Sequence, residues 1–365
     1  TARTKEGKVY QLKYKVIDAN KILIQNLDSI DLKLTVTPKT PDSEKSWYKT
    51  AQSVARVLMM VRSVGLSYRN QYSMSLPGFM PNVGDVFGQR TGGVMSPGLD
   101  FAFGLAGNSY INKALDHDWL LINDSVATPA TTNKTEDLQI KVTLEPIKDL
   151  KIDLNASRTE TTARSIQYMY EGSPTTQSGM FTMTTISLKS AFEGTGNANN
   201  GYRSASFTNF CNSLSAFRDR VESQYIGSTY PSTSILSGQK FDPANGTVDK
   251  YSADVMIPAF LANYTSGSSL TSALSIFPAL SRVLPNWTIH YSGLGRLTWF
   301  RDHFKSVNIN HSYKSIYAVG SYSSYSSYME YMNDLGFVTN TTTGNPVPSS
   351  MYNVSTVSIN EAFSP

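Results

Sequence analysis

"VGLSYRNQYSMSL", residues 64–76, alternates apolar and polar side chains over an unusually long stretch. Successive side chains of an extended chain point to opposite faces, so the pattern predicts a β-strand with one apolar and one polar face. Strands of soluble domains average about 5 to 6 residues, whereas a strand that crosses a bilayer at a tilt needs about 9 to 11. The length of this stretch therefore favours a membrane-spanning strand.

The two faces of this strand are candidate functional surfaces. Lipid-facing residues alternate with lumen-facing residues in transmembrane β-barrels. We expect the apolar set to face lipid: Val64, Leu66, Tyr68, Tyr72, Met74 and Leu76. We expect the polar set to face a water-filled lumen: Ser67, Arg69, Gln71 and Ser73.

Composition narrows the class of protein. Only 16% of the 365 residues are charged, against about 25% in a typical soluble domain. A net charge of +4 spread over this length gives no reason to expect a nucleic-acid partner. Cys211 is the only cysteine, which excludes an internal disulfide and a multi-cysteine metal site. The sequence shows neither an apolar run long enough for a transmembrane helix nor a signal peptide, so we expect a cytosolic protein or the interior of a longer exported chain.

The same alternation recurs along the chain and predicts roughly eleven strands. The clearest pair is a hairpin over residues 138–156, which turns at 145–149. Further strands are expected at 10–16, 31–37, 99–107, 165–170, 181–188, 286–294, 306–322 and 354–359. The fold class predicted is therefore all-β: a segment of a very large antiparallel transmembrane β-barrel with long loops and one or two short amphipathic helices.

Two segments have helical spacing instead. Residues 205–221 place an apolar stripe on one helix face, and we expect Cys211 to pack in that stripe. A shorter helix is expected over 254–264, with Pro258 limiting its length. We expect one barrel domain over 1–365 with a helical and loop insertion at about 194–285.

Stretches rich in Gly, Ser, Thr and Asn predict long surface loops at 193–204, 265–275 and 339–350. The turn at 145–149 is short by comparison. Short turns at one end and long loops at the other are typical of outer-membrane barrels.

The residues give little support for catalysis. Asp116, His117 and Asp118 form the densest acidic cluster, but in a strand His117 would point away from both carboxylates. The Gly-rich stretch 88–93 lacks the Gly-Lys-Ser/Thr ending of a phosphate-binding loop, so we interpret it as a flexible loop. We therefore expect no enzyme, no metal site and no cofactor.

Aromatic residues near the strand ends suit membrane interfaces, where an apolar ring can keep its polar tip wet. The residues that would form such girdles are Trp287, Tyr291, Tyr313, Tyr317 and Tyr322. A tyrosine also recurs every third residue at Tyr322, Tyr325, Tyr328 and Tyr331. We interpret this repeat as an interfacial or loop cluster rather than a surface that stacks sugars or peptides.

Four long phrases carry a family resemblance. They are "ARVLMMVRSVGLSYRNQYSMSLPGFMP" (55–81), "VLPNWTIHYSGL" (283–294), "VNINHSYKSIYAVGSY" (307–322) and "VSTVSINEAFSP" (354–365). In this order they resemble the SprA/Sov family, the outer-membrane translocons of the type IX secretion system of Bacteroidota.

The resemblance implies a function that the alternation alone does not. Members of that family export folded cargo proteins with type IX signals to the cell surface and support secretion and gliding motility. The implied location is the outer membrane of a Gram-negative bacterium, and the implied partners are cargo, outer-membrane lipid, a PorV-type protein and a plug protein. It also implies that both ends of this chain are cut from a larger protein.

Two other functions remain open. A porin or TonB-dependent transporter would share the barrel, but its closing strand should end in an aromatic residue, whereas this sequence ends in Ser364 and Pro365. A soluble all-β surface adhesin would share the loops, because half-buried strands in water have the same alternation.

Overall fold

The structure, a computed structural model, describes residues 2–18, 21–25, 31–35, 50–52, 54–55, 59–82, 84, 89–90, 94–107, 109–122, 128–169, 175–194, 196–266, 275–332 and 335–364. Its contacts divide the chain into two units, residues 1–59 and residues 60–365. The all-β class predicted from the alternation is confirmed. The assignment of one barrel domain to residues 1–365 stays a prediction.

The first unit contains two small antiparallel sheets. Its strands are β1 (Ala2–Thr4), β2 (Val9–Tyr10), β3 (Tyr14–Asp18), β4 (Lys21–Ile24) and β5 (Leu32–Leu34). β1 lies between β2 and β5, and β3 pairs with β4. The strand predicted over 10–16 is therefore divided between two sheets, while β5 confirms a shorter strand within 31–37, of which 36–37 lie outside the described residues.

The second unit is built on one long-stranded antiparallel sheet. Its strands are β6 (Val61–Ser75), β7 (Ala130–Leu144), β8 (Leu150–Ile166), β9 (Thr176–Thr184), β10 (Asn286–Tyr291), β11 (Ile309–Ser324), β12 (Tyr328–Met332), β13 (Leu335–Thr339), β14 (Pro346–Ser350), β15 (Tyr352–Val354) and β16 (Val357–Ser364). β12, β13 and β14 form a separate small sheet. The others follow one another as an up-and-down meander from β6 to β16. Among the described strands β6 pairs with β7 alone, so the sheet is open at this edge.

β9 and β10 follow one another along the same position in the sheet, between β8 and β11, although residues 185–285 separate them in the sequence. β8 pairs with β9 through residues 158–165 and with β10 through residues 150–155. The Leu284 N–H donates to the Thr184 carbonyl at 3.3 Å, which closes the gap between the two parts. The segment 185–285, which we call the insertion, therefore leaves and re-enters the sheet at one point.

The sheet has two unlike ends. At one end, the turn end, residues 145–149 join β7 to β8 and residues 292–308 join β10 to β11. At the other end, the loop end, residues 76–129, 167–175 and 325–351 make the connections. The tight turn predicted at 145–149 and the hairpin around it are confirmed, with strands that extend further than 138–156.

The described residues contain more helices than the one or two expected. They are α1 (Leu99–Ala102), α2 (Tyr110–Asp116), α3 (Leu188–Ala191), α4 (Ala205–Glu222), α5 (Ala253–Tyr264) and α6 (Thr298–His303). α4 and α5 confirm the two predicted helices. Pro258 lies inside α5 and does not end it. An interior proline removes one hydrogen bond and crowds the preceding turn, but Ile257, Pro258 and Ala259 are all buried, so packing holds the helix together.

The insertion packs against the sheet and also has a core of its own. α5 contributes Ile257 and Leu261 to a cluster with Phe181 and Tyr317 of the sheet. The insertion's own core combines buried side chains of α4, of α5 and of the segment between them with Phe337 of β13. Its members within the insertion are Phe210, Leu214, Phe217, Val221, Tyr225, Tyr230, Phe241, Val248, Val255, Ala259 and Ala262. α5 thus covers the part of the sheet that is formed by β9 and β11.

The strand predicted over 99–107 is wrong. The structure forms α1 there, and the Asp100 carboxylate in its first turn accepts two bonds from Lys113 Nζ at 2.9 Å. His117 likewise follows the end of α2 instead of lying in a strand, with its ring centroid 5.1 Å from that of Trp119. A short apolar alternation does not exclude a helix when local side-chain bonds favour one.

Cys211 is exposed, so its predicted place in the helix stripe is wrong. The buried stripe of α4 runs through Phe210, Leu214 and Phe217, and residue 211 lies about 100° around the helix from Phe210. The loop predicted over 339–350 is wrong at β14, where Pro346 and Pro348 occupy the edge of the small sheet. Proline is tolerated on an edge strand because no ladder donor is needed there.

Several further strand boundaries differ from the prediction. β9 ends at Thr184 within 181–188, β10 ends at Tyr291 within 286–294, and β11 begins at Ile309 within 306–322. β8 ends at Ile166, so only the first two residues of 165–170 are in a strand. The region 354–359 is divided between β15 and β16, at a point where the Gly320 N–H donates to the Thr356 carbonyl (2.8 Å).

Gly179 lies in β9, between β8 and β11, and its replacement tests how tightly these strands pack. An added Cβ would lie 1.9 Å from the Thr161 carbonyl oxygen and 2.6 Å from the Tyr322 hydroxyl. We expect Gly179→Ala to lower the free energy of unfolding by about 1–3 kcal/mol, because the neighbouring strands must shift. Gly194→Ala is the matched control, since its Cβ would meet nothing within 4 Å. Equal stability of both variants in chemical denaturation would contradict this packing.

Candidate lipid-facing and lumen-facing surfaces

The pairing register assigns every side chain of the long sheet to one of two faces. Directly paired residues of an antiparallel ladder point to the same side. Leu66 pairs with Ile140, which pairs with Ala156, while Ser67 pairs with Gln139, which pairs with Ser157. The apolar and polar sets of residues 64–76 therefore continue across the neighbouring strands as two distinct surfaces.

One face carries an apolar belt near the turn end. It consists of Val64, Leu66, Tyr68, Leu138, Ile140, Val142, Ile152, Leu154, Ala156, Trp287, Ile289 and Tyr291. In β6 the side chains of Val64, Leu66 and Tyr68 are 64%, 69% and 57% exposed. From the row of Tyr291 to the row of Tyr68 the belt extends over eight residues of β8, about 27 Å at 3.4 Å per residue, close to the apolar band of about 25 Å on outer-membrane barrels.

Charged residues border the belt on both sides. Toward the loop end, Arg158 pairs with Glu160 at 2.5 Å and lies 3.9 Å from Glu136. At the turn end, Arg62 pairs with Glu145 at 2.7 Å. The apolar region is thus limited in height, as expected of a surface between two aqueous layers.

Arg158 also connects the border of the belt nearer the loop end to the insertion. Its guanidinium carbon lies 4.9 Å from the centre of the Phe181 ring, and its Nε donates to the Pro278 carbonyl at 3.2 Å. The side chain is almost completely buried, and its charge is balanced by Glu160. Arg158 therefore lies where the apolar belt ends and the protein-covered part of the same face begins.

The opposite face is predominantly polar along β6, β7 and β8, and it carries two exposed apolar side chains, Met180 of β9 and Ile316 of β11. Thr159 donates to Asp137 at 2.8 Å, and Gln139 donates to the same carboxylate at 3.0 Å. Nearer the turn end, Thr143 donates to Asp153 at 2.7 Å. Ser67, Gln139 and Thr288 are exposed on this face. Such a surface suits contact with water and not with a hydrophobic layer.

The structure places the predicted lumen residues together on the exposed polar face of β6: Ser67, Arg69, Gln71 and Ser73. The predicted lipid residues are divided into two groups. Val64, Leu66 and Tyr68 lie in the belt, and Tyr72 is half-buried further along the same face. Met74 and Leu76 pack against the loop-end cluster that contains Tyr110 and Trp119. Lipid contact by the first group stays a prediction.

Three of the expected girdle aromatics are buried inside protein. Tyr313, Tyr317 and Tyr322 are fully buried, Tyr317 and Tyr322 in the cluster with Ile257. The Tyr313 hydroxyl donates to Glu361 at 2.6 Å and accepts from the Ser187 N–H at 2.8 Å. The girdle assignment is wrong for these three, because the insertion and its attachment cover them.

The third-residue tyrosine repeat is divided between two cores and does not form one surface. Tyr322 packs against Phe277, whereas Tyr331 stacks on Tyr225 of the insertion. The belt residues of β7 and β8 were not proposed as lipid-facing from the sequence, whereas Trp287 and Tyr291 of β10 were expected at a membrane interface. The alternation of the 138–156 hairpin could have found those of β7 and β8.

A cavity of about 440 Å³ lies between the insertion and the sheet. Arg158, Arg220 and Asp254 contribute to its lining. Burial raises the pKa of Asp254, although the Ser252 hydroxyl bonds to its Oδ1 at 2.6 Å. In the part of the chain that the structure describes, no three His, Cys, Asp or Glu side chains converge to hold a metal ion. The predicted Gly-rich loop 88–93 lies mostly outside the described residues.

No protein-family model matches the chain, and a search of curated proteins finds no match. Within the described residues, no helix combines the length and apolar character that crossing a membrane requires.

The belt makes a direct prediction for β6. Leu66→Arg places a charge among apolar neighbours, and near a bilayer midplane this should cost about 2–4 kcal/mol. Ser67→Arg, one residue away on the polar face, should be tolerated. The measurement is the free energy of unfolding of each variant reconstituted in lipid vesicles. Equal losses for the two variants would contradict the assignment of the faces.

Proposed function

We propose that this chain is a wall segment of an outer-membrane protein-conducting channel, the translocon of a type IX secretion system. The observation that carries the proposal is the two-faced sheet: long antiparallel strands bear a bordered apolar belt on one side and an exposed polar surface on the other. In this role the belt contacts lipid and the polar face lines an aqueous lumen.

The energetics of the belt support a lipid environment. Burying one Leu or Ile side chain stabilises a protein by about 1.5–3 kcal/mol. A soluble sandwich would obtain this stabilisation by packing a second layer over the belt. The described residues instead leave the belt accessible on β6, where Leu66 is the most exposed member. Lipid chains would satisfy the same need without a second protein layer.

The open edge at β6 also supports a larger sheet. A long exposed edge strand presents unpaired backbone donors and acceptors, which membranes do not tolerate and soluble proteins protect. β6 carries only Arg62 and Arg69 as charged side chains, which is weak protection for a strand of this length. We infer that another strand of the same barrel pairs with β6 and that the whole wall closes into a very large transmembrane barrel.

The cargo and partners follow from the resemblance to the SprA/Sov family. Its members conduct folded cargo proteins and work with a PorV-type partner and a plug protein. The proposed mechanism is conduction and gating, without catalysis: a polar lumen lets a folded domain pass, and the plug and partner keep the membrane sealed. Ser67, Arg69, Gln71 and Ser73 are the lumen-lining residues that we propose for β6.

Single cysteines at adjacent positions test the proposal. The matched pairs are Leu66 and Ser67 in β6, Ile140 and Gln139 in β7, and Ile289 and Thr288 in β10. A small charged maleimide added to cells should label the polar member of each pair, because that member faces water. The apolar member should be protected by lipid, so labelling should follow a period of two.

Two controls make this experiment decisive. Cys211 is exposed and would react, so it is first changed to Ser. A strain without the plug should show stronger labelling of the polar members and unchanged protection of the apolar ones. Equal labelling within each pair would indicate a sheet in water, and equal protection would indicate a dry core. Either result would overturn the proposed function.

A further inference from the structure

A cluster of exposed apolar side chains lies at the turn end of the sheet, beyond the belt. Around α6, Leu297, Trp299 and Phe304 are 54%, 60% and 50% exposed, and Ile147 of the neighbouring turn is 57% exposed. The centre of the Trp299 ring lies 5.9 Å from that of Phe304. We call these four residues together with Phe300 the turn-end patch.

The patch is held in place beside the last row of the sheet. The Ser292 N–H donates to the Asp149 carbonyl at 3.1 Å, and the Arg296 guanidinium pairs with the Asp149 carboxylate. These contacts tie the two connections of the turn end to each other. Tyr291 pairs with both Leu150 and Ile309, so the patch continues directly from the belt.

The apolar side chains of α6 have few packing partners among the described residues. The 3₁₀ turn at Gly293–Arg296 is its main neighbour among the described elements. An exposed Trp, two Phe, a Leu and an Ile on adjacent connections form a larger apolar group than a soluble surface usually presents. The group therefore needs a partner outside the described residues.

The chemistry of the patch identifies that partner. Trp and Phe are favoured at the boundary between acyl chains and headgroups, where basic side chains can reach the phosphates. Basic residues accompany the patch at Lys148, Arg301 and Lys305. The acidic residues of the same two connections are Glu145, Asp149 and Asp302, and each is paired with an arginine. Arg301 already contacts Asp302 at 3.4 Å, so the excess positive charge comes mainly from the two lysines.

We propose that the turn-end patch is an interfacial anchor that inserts into the phospholipid leaflet next to the turn end. This inference rests on the proposed function, because the belt must be in the membrane for the patch to reach the leaflet surface. The anchor fixes the height of the wall in the bilayer: the rings of α6 lie at the acyl boundary while Lys148 and Lys305 contact anionic headgroups. It assigns a lipid-binding role to a connection that would otherwise be a simple strand-to-strand link.

The test measures the depth of two positions separately. Single cysteines replace Phe304 in the patch and Ile140 in the belt, in the protein carrying Cys211→Ser, and each is labelled with an environment-sensitive fluorophore. The protein is reconstituted in vesicles of phosphatidylethanolamine and phosphatidylglycerol that contain phospholipid with a nitroxide quencher. The quencher lies either near the headgroup or near the end of the acyl chain. A label at Gln139 on the polar face is the control for quenching from water.

We expect the label at residue 304 to be quenched several-fold more by the shallow nitroxide than by the deep one. The label at residue 140 should respond to the nitroxides in the acyl region, and the label at residue 139 to neither. Quenching at 140 without quenching at 304 would overturn the anchor and leave the proposed function intact. Absence of quenching at both positions would overturn the proposed function and the anchor with it.

The charge component has its own test. Lys148→Glu combined with Lys305→Glu should reduce quenching at residue 304 in vesicles that contain phosphatidylglycerol, and the reduction should be smaller in vesicles without it. Lys141→Glu with Lys314→Glu is the matched control, because both lysines are exposed on the polar face of the sheet. The same reduction in both double variants would contradict a role for the two patch lysines.

Discussion

Backbone pairing between β6, β7 and β8 is the constraint on which the rest of the structure depends. The ladder fixes the register, and the register decides that Leu66, Ile140 and Ala156 share one face while Ser67, Gln139 and Ser157 share the other. A shift of one residue would exchange the two faces of a strand. The apolar belt, its charged borders and the continuous polar surface all follow from this register.

The insertion uses the same face in a different way. Near the turn end the face is apolar and accessible, but at β9 and β11 it is covered by α5 through Phe181, Tyr317 and Ile257. Arg158 lies at the transition between these regions, paired to Glu160 and bonded to the Pro278 carbonyl. One face of the sheet is therefore accessible at one height and covered by a folded protein layer at another. In the function that we propose, this division lets a single wall span the membrane and also support a water-exposed subdomain.

The sequence predicts those strands and helices whose pattern of apolar residues is complete within the element itself. The long alternation of β6, the 138–156 hairpin and the helices α4 and α5 were all recognisable because each pattern lies within one element. The burial of Tyr317 could not be recognised from the sequence, because its partner Ile257 belongs to the insertion, which is distant in the sequence. β14 was missed because Pro346 and Pro348 favour a loop unless an edge position is available. Cys211 shows that the spacing does not fix the edge of the buried stripe: Phe210 is buried, whereas the next residue of the helix is exposed.

Electron cryomicroscopy of the protein in lipid nanodiscs tests the central claim, that the belt contacts lipid, most directly. The account predicts acyl-chain density against Leu66, Ile140 and Leu154, with solvent on the other side of the sheet beside Gln139. It also predicts that the density of the bilayer ends near the charged borders at Glu145 and Glu160. A layer of protein packed over the belt, or solvent on both faces of the sheet, would contradict the account.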